Sequence, residues 1–277
     1  MYIVSNEDPT FNILLYGAPG IGKTWLASTA QDHPNMSNVM YENVEGGLIT
    51  VASRRDIRAM DIIGISKFKP TPEMVKLPDN MSTLEDEFWK LANKSPNYED
   101  IRTVVIDSGT ECQTLNLQAI VSNSIAKNKQ KHKDRDPDDI YLEDYGKSTA
   151  QLKRLLRWYR DLNINVIITA LDQSVFPKGS DGKVKENADP IMVRPWFTEK
   201  LAKAVMGYMD MVWYIFEEGG QRYLMTRDIG IFKGKTRGIE FSKALGPKVL
   251  LKDATDPDSK GHTLATLYDL YLQCGNK

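Results

Sequence analysis

A chain of 277 residues is long enough to bury a substantial core and to form one large α/β domain. With 41% hydrophobic and 26% charged residues, its composition is that of an ordinary globular protein. The formal net charge of -1 excludes a generally polycationic nucleic-acid-binding protein, so any contact with DNA must be local. There is no N-terminal leader pattern and no run of about 18 apolar residues, which argues against secretion and membrane spanning. Two cysteines, Cys112 and Cys274, lack metal-ligand or paired spacing and favour a reducing cytoplasm.

The first predicted element is a buried strand over Asn12–Tyr16, followed at once by a glycine-rich turn. That turn reads Gly17-Ala18-Pro19-Gly20-Ile21-Gly22-Lys23-Thr24 and matches the Walker A pattern in full. Its glycines allow several backbone N–H groups to point at one anion, and Lys23 adds a positive charge. Thr24 would open a helix with its hydroxyl facing Mg²⁺. The segment therefore predicts binding of a nucleoside triphosphate such as ATP, together with magnesium.

The second predicted strand, over Val39–Tyr41, is followed by two glutamates that could activate a water molecule. Glu42 and Glu45 both lie in the segment YENVEGGL, and Glu45 directly precedes a Gly-Gly turn that could bring it toward the γ-phosphate. Glu111, further along the chain, competes for the same role. Each of these side chains has the alternative interpretation of a solvated loop charge.

A hydrophobic strand over Thr103–Ile106 supplies the second half of the predicted site. Asp107 ends this strand and would emerge beside the phosphate loop, where its carboxylate can hold Mg²⁺ directly or through water. This arrangement is typical of a Walker B motif.

The remaining elements define the predicted fold. An amphipathic helix is expected over residues 148–163, with Ser148 as its cap, and a strand over Asn165–Ala170 follows. Residues 211–226 predict an antiparallel hairpin, and residues 262–275 a short C-terminal helix. Strands that alternate with helices predict an α/β fold with a mostly parallel central sheet flanked by helices. We expect one domain over residues 1–277, with a core at about 10–240 and an extension over 241–277.

The order of these segments resembles the RecA-like ATPase core. An early Walker A, then YENVEGGL, VVIDSGTE and VIITALDQ, is most similar to phage-encoded P-loop nucleotide-binding proteins. These include the Sak-type single-strand annealing recombinases, which have a shortened RecA core. The resemblance covers residues 10–240, which is most of the chain.

The resemblance implies specific roles for matching residues. Glu45 matches the glutamate that activates water, Asp107 the metal-associated aspartate, and Gln173 the polar residue that senses the γ-phosphate, with Thr169 as an alternative. Lys233, Lys235 and Arg237 lie where RecA-like proteins carry basic residues that reach the nucleotide of a neighbouring subunit. The alternative for these three is a charged hairpin edge that deters aggregation.

RecA-like proteins also bind single-stranded DNA through two mobile loops, which correspond to the polar stretches 126–139 and 176–190. Their lysines could neutralise DNA phosphates; these are Lys127, Lys129, Lys131, Lys133, Lys178, Lys183 and Lys185. The acidic residues Asp134, Asp136, Asp138 and Asp139 oppose this role in the first stretch and favour a solvated face.

The leading functional hypothesis is an ATPase of phage DNA recombination or replication that binds single-stranded DNA and promotes annealing. The resemblance implies a homo-oligomer, ring or filament, in the host cytoplasm, with a single-strand-binding protein as a possible partner and no membrane association. The alternatives are an AAA-type helicase loader or remodelling ATPase that acts on a protein partner, a small-molecule kinase, and a catalytically silent nucleotide-binding module.

Overall fold

The computed structural model describes residues 10–54, 56–62, 80–127, 135–136, 138–180, 182–185, 188–256 and 258–275. Within these residues ten strands join one sheet. The strands are β1 (Asn12–Gly17), β2 (Val39–Asn43), β3 (Arg58–Asp61), β4 (Thr103–Asp107), β5 (Asn165–Val175), β6 (Met192–Pro195), β7 (Met211–Glu218), β8 (Gln221–Met225), β9 (Lys235–Thr236) and β10 (Lys248–Leu250). The helices are α1 (Lys23–Ser28), α2 (Asn80–Ala92), α3 (Gly109–Lys127), α4 (Leu142–Arg160), α5 (Glu199–Tyr208), α6 (Ile239–Leu245) and α7 (Leu264–Gly275), and 3₁₀ turns cover Thr29–Asp32 and Leu48–Val51.

The strand order confirms the predicted α/β fold with a mostly parallel sheet. The order is β10-β8-β7-β1-β5-β4-β2-β3, with β6 attached to β5 and β9 to β7. All strands from β7 to β3 in this order are parallel, whereas β6, β8, β9 and β10 pair antiparallel. Gly17, at the end of β1, lies opposite Leu171 of β5 and Ile215 of β7. The phosphate loop therefore leaves the middle of the sheet, at the carboxyl edge of the parallel strands.

Both faces of the sheet are buried, as expected for parallel strands that read as continuous apolar runs. Along β1, Leu14 and Tyr16 belong to one hydrophobic cluster, which α2, α3, α4 and α5 cover. Ile13 and Leu15 belong to the opposite cluster, which α1, α6 and α7 cover. Every side chain near the phosphate loop can thus be assigned to the α1 face or to the α4 face by strand alternation.

Two predicted boundaries are wrong. Helix α4 starts six residues before Ser148, because the Asp144 carboxylate accepts a 3.0 Å hydrogen bond from the Tyr141 N–H and so caps the helix earlier. Ser148 lies instead on the buried face of α4. Strand β5 continues past Ala170 to Val175, because its polar second half pairs with β6, whose partner role was invisible in the local pattern.

Part of the stretch 126–139, which the sequence indicated as a loose loop, is ordered by a buried ion pair. The Arg135 guanidinium contacts the Asp144 carboxylate, and neither side chain is more than 2% exposed. Arg135 also donates a 2.7 Å hydrogen bond to the carbonyl of Asp139 and stacks on the ring of Tyr141. This contact fixes the chain to the first turn of α4.

No helix of the described residues is long and apolar enough to cross a membrane.

Replacing Arg135 should destabilise the fold, because Arg135→Ala leaves the buried Asp144 carboxylate with only the exposed Lys147 ammonium, 3.9 Å away, as an ion-pair partner. We expect a loss of about 3 kcal/mol in the free energy of unfolding, measured by urea denaturation. Arg154→Ala is the control, since Arg154 pairs with Glu85 at the surface, and it should cost about 1 kcal/mol or less. Equal losses in the two variants would contradict the structural role of the Arg135 pair.

Candidate nucleotide-binding site

The phosphate loop requires glycine at two of its positions for different reasons. A Cβ at Gly17 would lie 2.5 Å from the carbonyl oxygen of Ile215, so β7 leaves no space for a side chain there. Gly22 adopts φ = +101°, a conformation that other residues rarely adopt. The loop between them connects β1 to α1, which is the strand–loop–helix context that a Walker A motif requires.

Lys23 points back into the loop that it follows. Its ammonium donates hydrogen bonds to the carbonyl oxygens of Gly17 (3.0 Å) and Ala18 (2.8 Å). Burial lowers the pKa of Lys23, and the carboxylates of Glu45, Asp107 and Asp172 oppose that shift. A buried ammonium held inside a glycine loop is arranged to neutralise a phosphate group that enters the loop.

Asp107 connects the phosphate loop with two neighbouring strands. One carboxylate oxygen accepts a 2.8 Å hydrogen bond from the Thr24 hydroxyl, and the other accepts a hydrogen bond from the Thr169 hydroxyl. Burial raises the pKa of Asp107, while the hydrogen bonds from Thr169 and Thr24 lower it. Asp107 is only 3% exposed, and the hydrogen bonds from Thr24 and Thr169 fix the position of its carboxylate from both sides.

The donor set of this site fits Mg²⁺. The Thr24 hydroxyl and the Asp107 carboxylate are hard oxygen ligands in mutual contact, and Mg²⁺ prefers such ligands. Among the described residues, no group of three or more His, Cys, Asp or Glu side chains could hold a metal by itself. Phosphate oxygens and water would complete the coordination of a bound Mg²⁺, as is usual for magnesium bound with a nucleotide.

Glu45 is the better placed of the two carboxylates that follow the predicted strands. Its backbone N–H donates a 3.0 Å hydrogen bond to the carbonyl of Asp107, which holds the turn after β2 against the end of β4. Glu45 is exposed, and its charge is the first of the three carboxylate charges that oppose the lowering of the Lys23 pKa. Glu111 lies in the first turn of α3, where burial and the Glu45 charge raise its pKa.

Glu42 lies on the α4 face of the sheet, away from Lys23 and Thr24. It is fully buried, and its carboxyl lies 2.6 Å from the Tyr159 hydroxyl oxygen, whose single proton can be donated either to Glu42 or to the carbonyl of Leu84, 2.9 Å away. Burial raises the pKa of Glu42 from 4.5 to about 8, with a further contribution from Glu87. These contacts give Glu42 a place in the core.

The γ-phosphate-sensing candidates lie on β5. Gln173 is half-buried, two residues beyond Leu171, which is opposite Gly17. It pairs across the sheet with Arg194 of β6, and its side-chain oxygen finds no hydrogen-bond partner among the described residues. Thr169 is fully buried and holds Asp107. Gln173 thus has a free acceptor at the carboxyl edge, and its sensing role stays a prediction.

The three basic candidates of the C-terminal half contact their own chain. Lys233 pairs with Asp228 at 2.7 Å, and Arg237 pairs with Asp210 at 2.7 Å. The Lys235 ammonium donates to the carbonyl of Met206 at the end of α5, also at 2.7 Å. Because β9 pairs with the start of β7, Lys235 lies near the end of the sheet opposite the phosphate loop. Their action on a neighbouring subunit stays a prediction.

The DNA-loop candidates fall into two groups. Lys127 is the last residue of α3, whereas Lys129, Lys131 and Lys133 lie outside the described residues. Between β5 and β6 the chain turns back on itself, with a bridge between Lys178 and Val184 and a 2.8 Å hydrogen bond from the Gly179 N–H to the Lys183 carbonyl. Lys178, Lys183 and Lys185 are exposed on this turn.

Sequence reasoning missed Arg222 of β8, which lies beside Gly22 of the phosphate loop. Only the pairing of β8 with β7, and of β7 with β1, brings this arginine to the loop. No local signal in the sequence marks such a non-local approach.

The buried Glu42 carboxyl should make stability depend on pH. Because its folded-state pKa is raised, the folded protein binds the proton more tightly, so stability falls as pH rises from about 4.5 and levels off above about 8. Glu42→Gln should remove this component, at most about 1.4 kcal/mol per pH unit, from urea-denaturation curves between pH 5 and 8. Glu199→Gln, at an exposed position, is the control. An unchanged slope in Glu42→Gln would contradict this assignment.

Comparison with known proteins identifies the family to which the chain belongs. One solved structure that matches is a KaiC-like protein from the hyperthermophilic archaeon Pyrococcus horikoshii OT3, at 14% sequence identity, with 87% of this chain and 84% of that chain covered and a TM-score of 0.37. No curated protein sequence matches the chain. The family model AAA_24, described as an AAA domain, matches residues 10–238, which include the phosphate loop, Glu45 and Asp107. The chain therefore belongs to the AAA domain family.

Proposed function

We propose that this protein is an ATPase that binds single-stranded DNA. The observation that carries the ATPase part is the convergence of Lys23, Thr24 and Asp107 in one hydrogen-bonded site with the Glu45 charge beside it. Membership of the AAA domain family supports nucleotide binding at this loop.

Each residue has a defined task in the proposed hydrolysis. The N–H groups of the phosphate loop and the Lys23 ammonium bind the β- and γ-phosphates. Thr24 and Asp107 would hold Mg²⁺, which when bound neutralises charge on the phosphate oxygens. Glu45 takes the proton of the attacking water, since its carboxylate is exposed to solvent and close enough to Lys23 for its charge to raise the Lys23 pKa.

The DNA part of the proposal rests on the β5–β6 turn. Strand β5 carries Thr169, which holds Asp107, and continues for six more residues to Val175. At about 3.3 Å per residue, the turn projects roughly 13 Å beyond the level of Leu171 and the phosphate loop. Its exposed lysines and the partly exposed ring of Phe176 supply charge and a stacking surface, the two means by which single strands are bound.

We further propose that the protein acts in DNA recombination or replication, by annealing single strands in a phage-infected cell. In a ring or filament of this chain, Lys233, Lys235 and Arg237 would exchange their present carboxylate and carbonyl partners for the nucleotide of a neighbouring subunit. The resemblance to shortened RecA-like recombinases supports this part.

A second candidate function is remodelling of a protein partner. The first turn of α4 exposes several large apolar side chains, including Leu142 at 90% exposure and Tyr141 at 44%. Apolar side chains grouped on a surface are typical of protein interfaces. This candidate requires ATP hydrolysis that does not respond to DNA.

The test of the proposal is steady-state ATP hydrolysis with and without single-stranded DNA at two salt concentrations. We expect DNA to stimulate hydrolysis and salt to weaken the effect, because DNA phosphates are neutralised by lysines. A triple variant with Lys178, Lys183 and Lys185 changed to Ala should lose most of the stimulation but keep the basal rate. Lys200, Lys203 and Lys243, which are exposed on α5 and α6, provide a control triple variant with the same charge change.

Three outcomes decide between the readings. Hydrolysis indifferent to DNA at both salt concentrations would overturn the DNA part and favour a protein partner. Equal losses of stimulation in both triple variants would show that total charge matters and the turn does not. Normal hydrolysis in Lys23→Ala would overturn the nucleotide site itself.

The water-activating residue can be identified separately. Glu45→Gln should lower kcat by roughly 10²- to 10⁴-fold while ATP still binds, because an amide cannot take the proton. The matched Glu111→Gln variant should retain its kcat. The opposite pattern, with hydrolysis lost only in Glu111→Gln, would transfer the role to α3.

A further inference from the structure

Arg222 is held at the carboxyl edge of the sheet, next to the phosphate loop. It lies opposite Glu217 of β7, two residues beyond the Leu224–Ile215 pair, and Ile215 is itself opposite Gly17. Its carbonyl accepts a 2.9 Å hydrogen bond from the Leu251 N–H, so the backbone at this point is fixed. Because side chains alternate along a strand, Arg222 shares the α1 face with Leu224.

The Arg222 side chain reaches the loop at Gly22. A Cβ at Gly22 would lie 3.8 Å from both Cδ and Nη1 of Arg222 and 3.9 Å from its Nε. Gly22 directly precedes Lys23, so the guanidinium lies beside the part of the loop whose N–H groups face a bound phosphate. A second cation is therefore present at the loop in addition to Lys23.

The guanidinium also has one buried donor that is unpaired within the described part of the chain. Its Nε is buried and has no partner among the described residues. The pKa of the Asp253 carboxyl is lowered chiefly by hydrogen bonds from Thr255, and the Arg222 charge is a lesser cause. An arginine whose buried donor is unpaired is arranged for an external acceptor.

Arg222 can be reached by a ligand as well. It lines an open cavity of about 410 Å³ between the tip of the β7–β8 hairpin and the segment that follows β10, together with Gln221, Asp253 and Lys260. This volume lies within the range typical of small-molecule sites. Arg222 thus lies beside Gly22 of the phosphate loop and also lines this cavity, whose other charged lining residues include Glu217 and Asp256.

We propose that Arg222 binds a phosphate group of the nucleotide held in the phosphate loop, as a second cation supplied by the same chain. The proposal rests on the proposed nucleotide site and adds a residue from β8 to it. The planar guanidinium can donate two parallel hydrogen bonds to phosphate oxygens, whereas Lys23 acts as a single point charge.

The test measures nucleotide affinity with a fluorescent ATP analogue and magnesium, with inorganic tripolyphosphate as a competitor. Arg222→Ala should raise the Kd for the ATP analogue by about tenfold or more, and the Kd for tripolyphosphate by the same factor. Arg222→Lys should recover part of the loss, because it keeps the charge but loses the two-pronged geometry. Arg227→Ala, at the exposed residue beyond the other end of β8, should change neither Kd.

The alternatives give different results. A loss for the ATP analogue with unchanged tripolyphosphate binding would overturn the phosphate contact and place Arg222 against the sugar or base. Unchanged affinity together with a lower melting temperature of the nucleotide-free variant would overturn the proposal in favour of a structural role. If the unsubstituted protein binds no nucleotide, the proposed function fails first, and that outcome is distinct from loss in Arg222→Ala alone.

Discussion

The site depends on one buried carboxylate, that of Asp107. Its two oxygens accept hydrogen bonds from Thr24 at the start of α1 and from Thr169 on β5, while its carbonyl accepts from Val44 and Glu45 after β2. One residue thus joins the phosphate loop, the strand that leads to the lysine-bearing turn, and the segment that carries Glu45, the residue proposed to activate water. Loss of a hydrogen bond from any of these three segments would leave an oxygen of Asp107 without a partner, because Asp107 is buried and water cannot replace the lost donor.

At the level of the phosphate loop, the two faces of the sheet carry side chains with different surroundings. On the α1 face, the Asp107 carboxylate accepts hydrogen bonds from Thr169 of β5 and from Thr24 of the phosphate loop. On the α4 face, at the same level of the sheet, Glu42 is closed off by Tyr159 and contributes to the core. The two acidic residues of this segment therefore have different surroundings: alternation along β2 directs Glu42 to the α4 face, whereas Glu45 lies beyond the strand, in the turn held by the Asp107 carbonyl.

Much of this arrangement could be predicted from the sequence, where the signal is local. The Walker A segment and the four apolar strands could be recognised because a buried parallel strand and a glycine loop each have a pattern within a few residues. The start of α4 at Leu142 could not, because Asp144 both caps the helix and pairs with Arg135, a contact set by tertiary structure. The extension of β5 to Val175 depends on β6, and the approach of Arg222 to Gly22 depends on two successive strand pairings. Contacts between segments that are distant in the sequence produce no pattern within either segment, so they could not be predicted.

The close packing of Gly17 against β7 has a mechanical consequence. The loop begins where its backbone lies so near the Ile215 carbonyl that not even a methyl group could be inserted. Two backbones in such close contact cannot slide or separate independently, since a packed interface resists compression and transmits displacement. Any side chain at Gly17 would therefore have to displace either the start of the phosphate loop or β7, the strand from which the hairpin that carries Arg222 begins.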